Sequence, residues 1–408
     1  MKKIIPGFWF LILSSQIFSQ QITTDNLKKH IQYLASDELK GRETGSQDDL
    51  AAASYISKQF AELKLEPKGN SNSYFFSYQF KKPKNPHDTI GGELVSSQDV
   101  VGYLDNKADY TVIIGGHFDH LGMGMDHNSL DANSEGKIHN GADDNASGTA
   151  GVLELARYFS QNNRQEKFNF LFICFSGEEL GLFGSKKFCE NPTVDFSKVN
   201  YMINMDMIGR LADSTNKLIV YGVGTSADWI PILDKTNSDF KIKKDSSGIG
   251  PSDQTSFYLK NIPVLHFFTG QHSDYHKPGD DWEKINFTGE KKVLDYIIKV
   301  IEETEKLPKM KFLTTKNPDT GKSSFKVTLG IMPDYTFEGK GLRVDGVTKG
   351  KSADAAGILQ GDIIIQLGEI KINDMNDYMK ALSKFNKGDS TDGIILRVGK
   401  EMKMKVTF

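Results

Sequence analysis

Seven side chains able to bind a metal or move a proton fall just beyond apolar runs of this chain. His117 and Asp119 follow the run Tyr110–Ile114, and Asp144 precedes an amphipathic stretch. Glu178 and Glu179 follow Phe168–Phe175, and Asp206 closes Val199–Asp206. His276 lies in Asp274-Tyr275-His276-Lys277-Pro278-Gly279-Asp280, just past Ile262–Phe268. Singly, each has a plain explanation: an acid before a helix caps it, and a Glu doublet is solvated surface. Gathered at one edge they would concentrate negative charge, which is costly unless a cation sits among them. Imidazole and carboxylate ligands suit Zn²⁺, and carboxylate-rich sites also take Mn²⁺ or Co²⁺. Two imidazoles and three carboxylates suffice for two ions that share one bridging carboxylate. Asp119, two residues beyond His117, could accept from the second nitrogen of that ring.

Such gathering requires strands and helices in alternation. Tyr110–Ile114, Phe168–Phe175, Val199–Asp206, Leu218–Gly222 and Ile262–Phe268 read as strands covered on both faces, being nearly continuous apolar runs. Thr23–Ala35, Gln47–Leu65, Ser147–Ser160 and Gly289–Lys306 carry apolar residues at helical spacing, and residues 73–80 and 92–104 read as two further strands. The pattern predicts an α/β fold, a mixed and mainly parallel sheet between helical layers, with its chemistry at the strand ends. Between Asp206 and His276 there is room for a strand, a helix and another strand, so no inserted lid domain is expected.

The 408 residues exceed a usual single domain. Apolar content of 38%, charged content of 25% and a net charge of −3 describe an ordinary globular chain with no basic stripe for nucleic acid. Residues 1–20 read as a signal peptide: Met1-Lys2-Lys3, an apolar core over Ile4–Leu13, then a more polar end. That core is shorter than the ~20 residues needed to cross a bilayer, so export to the periplasm or outside is expected, with no membrane attachment after cleavage. Cys174 and Cys189 read as buried thiols rather than a disulfide. Residues 21–306 form the first predicted domain, 307–323 a linker rich in lysine and proline, and 324–408 a small second domain of short strands and many glycines. There is no His-Glu-x-x-His, no Gly-x-Ser-x-Gly and no phosphate loop of the Walker type. In the long loop between His117 and Asp144, Asp131-x-Asn133-x-Glu135 reads as surface polarity rather than a calcium loop. His120, His127 and His139 receive no role beyond a wall of the substrate site.

Five stretches occur in order: Gly116-His-Phe-Asp-His-Leu-Gly, Gly141-Ala-Asp-Asp-Asn-Ala-Ser-Gly, Ser176-Gly-Glu-Glu-Leu-Gly, Asn204-Met-Asp-Met-Ile-Gly and Tyr275-His-Lys-Pro-Gly-Asp. The series resembles that of the secreted bacterial co-catalytic di-zinc aminopeptidases, the leucyl type related to glutamate carboxypeptidase, and Leu34-Ala-Ser-Asp-Glu-Leu-Lys-Gly-Arg resembles their opening. The resemblance covers roughly residues 25–305. It implies a three-layer α/β/α zinc-exopeptidase fold, two Zn²⁺ per chain and peptide substrates. His117 and Asp206 would hold one ion, Glu179 and His276 the other, and Asp144 both. Glu178 would be the general base, Asp119 the orienting acid, and Tyr275 would help polarise the scissile carbonyl.

Leu329-Gly330-Ile331, Gly341-Leu-Arg-Val-Asp-Gly-Val and Leu359-Gln-Gly-Asp-Ile-Ile-Ile-Gln-Leu-Gly resemble a PDZ domain of the bacterial permuted order. That resemblance implies a groove for a peptide C-terminus beside Leu329, Gly330 and Ile331; a purely structural domain is the competing reading. For the whole chain, the competing readings are a single-zinc glutaminyl cyclase of the same fold and an inactive peptide-binding relative working through the PDZ-like domain. The presence of His117 and of the complete acid set opposes both.

Overall fold

A computed structural model describes residues 21–82, 92–125, 129–131, 133–250, 252–315, 327–333, 337, 339–347, 350–373 and 375–408. The expected signal peptide, His127 and residues 316–323 of the expected linker lie outside these.

The apolar runs do become strands. In chain order they are β1 (Glu66–Pro67), β2 (Phe75–Lys81), β3 (Leu94–Leu104), β4 (Tyr110–His117), β5 (Phe168–Phe175), β6 (Val199–Met205), β7 (Lys217–Tyr221), β8 (Lys241–Lys244) and β9 (Val264–Phe268). They form one sheet ordered β1-β3-β5-β4-β6-β9-β7-β8, with β2 paired to β3. The central neighbours β5, β4, β6 and β9 run parallel, whereas β3 joins β5, and β7 joins β9, antiparallel. β4 is the switch point of the winding: the next strand, β5, lies on one side of it and β6 on the other. Open α/β sheets bind ligands at the carboxyl edge beside such a strand.

Alternation explains how both faces are covered. Val112 and Ile114 of β4, with Phe170 and Phe172 of β5, enter one core, beneath the helices α1 (Thr24–Leu34), α2 (Gln47–Glu62), α3 (Gly148–Gln161), and α7 (Phe287–Thr304). Ile113, Leu171 and Ile173, between them, enter the opposite core with residues of α4 (Phe183–Glu190) and α6 (Gln254–Tyr258). α5 (Trp229–Thr236) joins the first layer through Trp229 and Leu233. Each such side chain, fully buried, contributes roughly 1.5–3 kcal/mol of burial energy. The helices start where side chains satisfy free amides: Thr23 Oγ1 accepts from Asn26 N, Ser46 Oγ from Asp49 N and Asn286 Oδ1 from Gly289 N.

Two particulars differ from the expectation. Between β6 and β9 the expected strand and helix, β7 and α5, are joined by β8 and α6; the short strand β8, Lys-Ile-Lys-Lys, carries no apolar run and so gave no signal. Residues 309–315 are attached to the first domain: Met310 N donates to Asn200 Oδ1 and Thr315 N to Tyr258 Oη, and Met310 is buried. Any free linker therefore begins after residue 315, because this stretch has partners that its polar composition did not reveal. Cys174 and Cys189 are both buried free thiols.

The C-terminal unit is a six-stranded antiparallel sheet of β10 (Ile331–Pro333), β11 (Leu342–Val347), β12 (Ile363–Leu367), β13 (Ile370–Lys371), β14 (Ser390–Arg397) and β15 (Lys400–Thr407), with helices α8 (Ser352–Ala355) and α9 (Met375–Leu382). Its own core holds Leu329, Val344, Ile364, Ala381 and Ile395. Leu329 is buried, its carbonyl accepts from Ala353 N, and Gly330 turns the chain at φ +71° into β10.

The connections before β4 are pinned by one fully buried cation. Arg42 donates through Nε to Phe118 O (2.6 Å), through Nη1 to Asn140 O (2.7 Å) and Leu34 O, and through Nη2 to Gly141 O (3.0 Å). One guanidinium thereby fastens the end of α1 and both ends of the 118–141 loop. Burial lowers its pKa to about 10, against the pull of Asp119, Asp280, Asp144 and Glu179, so it stays charged at neutral pH. Replacing it by methionine would leave the carbonyls of Leu34, Phe118 and Asn140 unpaired, while Gly141 O keeps Ala146 N, at ~1–3 kcal/mol for each group left unsatisfied. Arg42→Met should lose about 3 kcal/mol or more in urea unfolding, with Arg42→Lys only partly restoring it, since an ammonium lacks the planar fork. A loss below about 1 kcal/mol would show that the staple is dispensable.

Candidate metal centre

The four parallel strands deliver their side chains to one cleft. At the end of β4, His117 Nε2 lies 3.4 Å from Asp144 Oδ1 and 3.5 Å from Asp206 Oδ1. On the other side of Asp144, Oδ2 is 3.2 Å from His276 Nε2, which is itself 3.1 Å from Glu179 Oε2. Asp144 thus turns one oxygen towards each histidine. His117 Nε2, Asp144 Oδ2 and Asp206 Oδ1 are buried without a hydrogen-bond partner, a state that costs ~1–3 kcal/mol per group. Divalent cations would remove that cost, and the donor set of imidazole and carboxylate is the one zinc prefers. The residues therefore fit two ions, with Asp144 able to bridge.

Glu178 points into the same space, its Oε2 4.0 Å from His117 Nε2. Burial holds its carboxyl well above the usual range; His117 pulls it down, while Glu179, Asp206 and Asp253 push it up. Glu179 behaves oppositely. Burial would raise it, but His276 and the hydrogen bonds from His120 and His276 outweigh burial and the repulsion of Asp144, leaving it at about 2. Adjacent in sequence, the two glutamates differ in proton affinity because Glu179 meets two imidazoles, at 2.8 and 3.1 Å, whereas Glu178 stands 4.0 Å from one. Asp144 is held well below its usual range by its contacts with His117 and His276, which overcome its burial. Met207, Tyr221, Phe268 and Tyr275 line the rest of this cleft of about 490 Å³, counting its open mouth. The Tyr275 ring stacks on His276 at 3.9 Å.

Backbone contacts set these positions. Asp119 Oδ1 accepts from Glu178 N (3.2 Å), and its Oδ2 from Glu179 N (3.4 Å) and Thr44 Oγ1 (2.7 Å). Asp119 thus holds the amides of the glutamate doublet. The same carboxylate stands 3.5 Å from Nδ1 of His117, the partner that the sequence assigned to it, and Asp119 O lies 3.2 Å from that nitrogen. In Asp143-Asp144-Asn145 the flanking residues grip β6. Asp143 Oδ1 accepts from Gly209 N, and Asn145 accepts from Met207 N and donates to Met205 O. Gly148 lets this turn approach so closely, since a Cβ there would stand 2.3 Å from Met205 O. Asp280 Oδ2 accepts from both Asp143 N and Asp144 N at 3.0 Å.

The structure thus brings together His117, Asp119, Asp144, Glu178, Glu179, Asp206, Tyr275 and His276, from segments up to about 160 residues apart in the chain. Sequence reasoning missed Arg42, Thr44, Asp280 and above all His120. Expected as a loop residue without a role, His120 is buried with Nδ1 2.8 Å from Glu179 Oε1. Asp280 had a signal, standing four residues after His276. His120 had none, since its partner is 59 positions away. Asp131 Oδ1 accepts from Asn133 N and its Oδ2 lies 3.5 Å from Lys137 Nζ, as a polar surface turn does.

Parts of this chain are similar to known proteins. Residues 99–301 match the family model described as Peptidase family M28. Aminopeptidase YwaD of Bacillus subtilis (strain 168) is 30% identical over 158 residues, which make up 36% of this chain and 34% of that relative. The chain spans about a third of the length of the first curated relatives it matches. The fold is that of a zinc aminopeptidase from Bacillus subtilis, with a TM-score of 0.54 at 15% identity over 72% of this chain and 98% of that one. It is equally that of a glutaminyl cyclase from Bacteroides thetaiotaomicron, with a TM-score of 0.55 at 16% identity over 69% and 98%.

If cations satisfy the orphaned donors, they must also stabilise the fold. Free zinc at a hundredfold its Kd should add about 2.7 kcal/mol, seen as a higher thermal midpoint that chelator reverses. In Asp144→Asn most of this gain should vanish, because the residue faces both positions. A midpoint indifferent to zinc in the unsubstituted chain would remove the metal reading.

Proposed function

We propose that this chain is a zinc-dependent aminopeptidase of peptidase family M28, exported and acting on the N-terminal residues of peptides. The observation that carries the proposal is Asp144 with an oxygen towards each of two imidazole–carboxylate pairs, and a partly buried glutamate, Glu178, at their side. The family match over residues 99–301 supports it.

In this reading His117 and Asp206 would hold one zinc, Glu179 and His276 the other, and Asp144 would serve both. Zinc bound there would polarise the peptide carbonyl and lower the pKa of the attacking water. Glu178 takes a proton from that water through a carboxylate oxygen as the water oxygen bonds to the carbonyl carbon. It then delivers the proton to the nitrogen of the leaving peptide as the C–N bond breaks. A carboxyl whose proton affinity is raised by burial suits that task near neutral pH better than a solvated glutamate would. Asp119 keeps Glu178 and Glu179 at their stations through their amides. Tyr275, stacked on His276 at the mouth of the cleft, is assigned the substrate carbonyl.

Export rests on the composition of residues 1–20; among the described residues no helix is long and apolar enough to cross a membrane. The C-terminal unit is read as a PDZ-like domain, a reading supported by its small antiparallel sheet with two short helices, and its groove would take a peptide C-terminus beside Leu329, Gly330 and Ile331.

Glu178→Gln should keep the fold and the zinc content while lowering kcat by two or more orders of magnitude, in line with general-base contributions. Near-full turnover in that variant would remove Glu178 as the base. Digestion of free and N-acetylated peptides, read by mass spectrometry, should show loss of single N-terminal residues from the free form alone. Cyclisation of N-terminal glutamine by a chain holding one zinc would instead identify a glutaminyl cyclase.

A further inference from the structure

His120 is the feature of the cleft that the five-ligand reading leaves unused. It is buried at 1% exposure, in the interior between the backbone of Arg42 and the turn that carries Asp144. His120 N donates to Arg42 O at 3.2 Å. Its ring lies against Gly141, where φ is +56° and a Cβ would come within 2.5 Å of the imidazole carbons, so only glycine leaves the ring its space. In that slot Nδ1 meets Glu179 Oε1 at 2.8 Å, whereas Asp144 Oδ2 stands 4.0 Å away. Nε2 is buried without a partner. A buried imidazole with one nitrogen unsatisfied is costly, and donation from the other nitrogen to a carboxylate, a strong bond, offsets that cost.

The two oxygens of Glu179 are divided accordingly. Oε1 faces His120, while Oε2 faces His276 Nε2 at 3.1 Å. A free glutamate side chain rotates about its last torsion and could offer either oxygen, or both, to a cation. With Oε1 engaged, only Oε2 remains for an ion beside His276 and Asp144.

We propose that His120 is a positioning residue for the second zinc: its Nδ1–H holds Glu179 Oε1, so that Glu179 binds through Oε2 together with His276 and Asp144. The proposal rests on the two-zinc reading above. Outer-sphere partners of metal-binding carboxylates and imidazoles change affinity about 10–100-fold when removed. The larger effect belongs to one of the two ions: the 2.8 Å contact is with Glu179, which would serve that ion alone, whereas Asp144, which would serve both, stands 4.0 Å away, and among the hydrogen bonds and ion pairs of the described residues nothing links His120 directly to His117 or Asp206.

The test is zinc titration of the full-length chain against a competing fluorescent chelator, resolving first and second equivalents, with circular dichroism to confirm folding. His120→Ala should weaken one equivalent by about 10–100-fold and leave the other within about threefold. His120→Asn puts an amide N–H where Nδ1–H stood, with the same number of bonds from Cα, and should restore that equivalent to within a few-fold. Two wild-type affinities in His120→Ala would overturn the proposal. Loss in His120→Asn as deep as in His120→Ala would overturn it as well, because it would make the imidazole itself a ligand. Equal weakening of both equivalents would show a structural effect instead of positioning. If the unsubstituted chain takes up no zinc, the two-zinc reading itself fails, an outcome distinct from a folded His120→Ala variant that binds both ions normally. Peptide hydrolysis is not needed for any of these readouts.

Discussion

Four carboxylates, those of Asp144, Glu178, Glu179 and Asp206, open onto one cleft, and their mutual repulsion governs what surrounds them. At about 4 Å and an effective dielectric near 20, each close pair costs on the order of 4 kcal/mol. Protonation relieves part of it, which is why burial drives Glu178 upward. His117 and His276 relieve another part by standing between the acids. Behind them the charged Arg42 adds a fixed positive field that no titration near neutral pH removes. What remains unsatisfied is oriented inward, on His117, Asp144 and Asp206, and that is the demand a pair of cations would meet.

Within each motif the work is divided between neighbours. In Asp143-Asp144-Asn145 the middle residue faces the cleft and the outer two hold the amides and carbonyls beyond β6. In Glu178-Glu179 the two side chains share the cleft while their amides share Asp119. In His117-Phe118-Asp119-His120, the first residue faces Asp144 and Asp206, the second is core, the third holds the glutamate backbone, and the fourth holds a glutamate oxygen. Dense polar runs of this kind are stable because nearly every group has a stated partner; the exceptions are His117 Nε2, His120 Nε2, Asp143 Oδ2 and Asp144 Oδ2.

The central strands were legible because they are buried on both faces and so had to be apolar throughout; β4, β5, β6 and β9 stand within a few residues of their expected bounds. β8 escaped because an edge strand of Lys-Ile-Lys-Lys looks like a loop. The tie of residues 309–315 to the first domain escaped for a related reason: its contacts are hydrogen bonds from ordinary polar residues to distant ones. Arg42 stood in a motif that could be noticed, but its four carbonyl partners leave no trace in side-chain pattern.

The sequence by itself determined the chemistry available. Residue type and position after apolar runs are enough to bring acids and imidazoles to one edge of a parallel sheet, because strand direction is set by the alternation with helices. Tertiary structure alone decided which atom of each residue faces which partner. It turned Asp144 to serve two histidines, gave Asp119 to the glutamate amides, and split the oxygens of Glu179 between His120 and His276. Those choices depend on distances of a few tenths of an ångström between segments far apart in the chain, and such distances are fixed only when the core has packed.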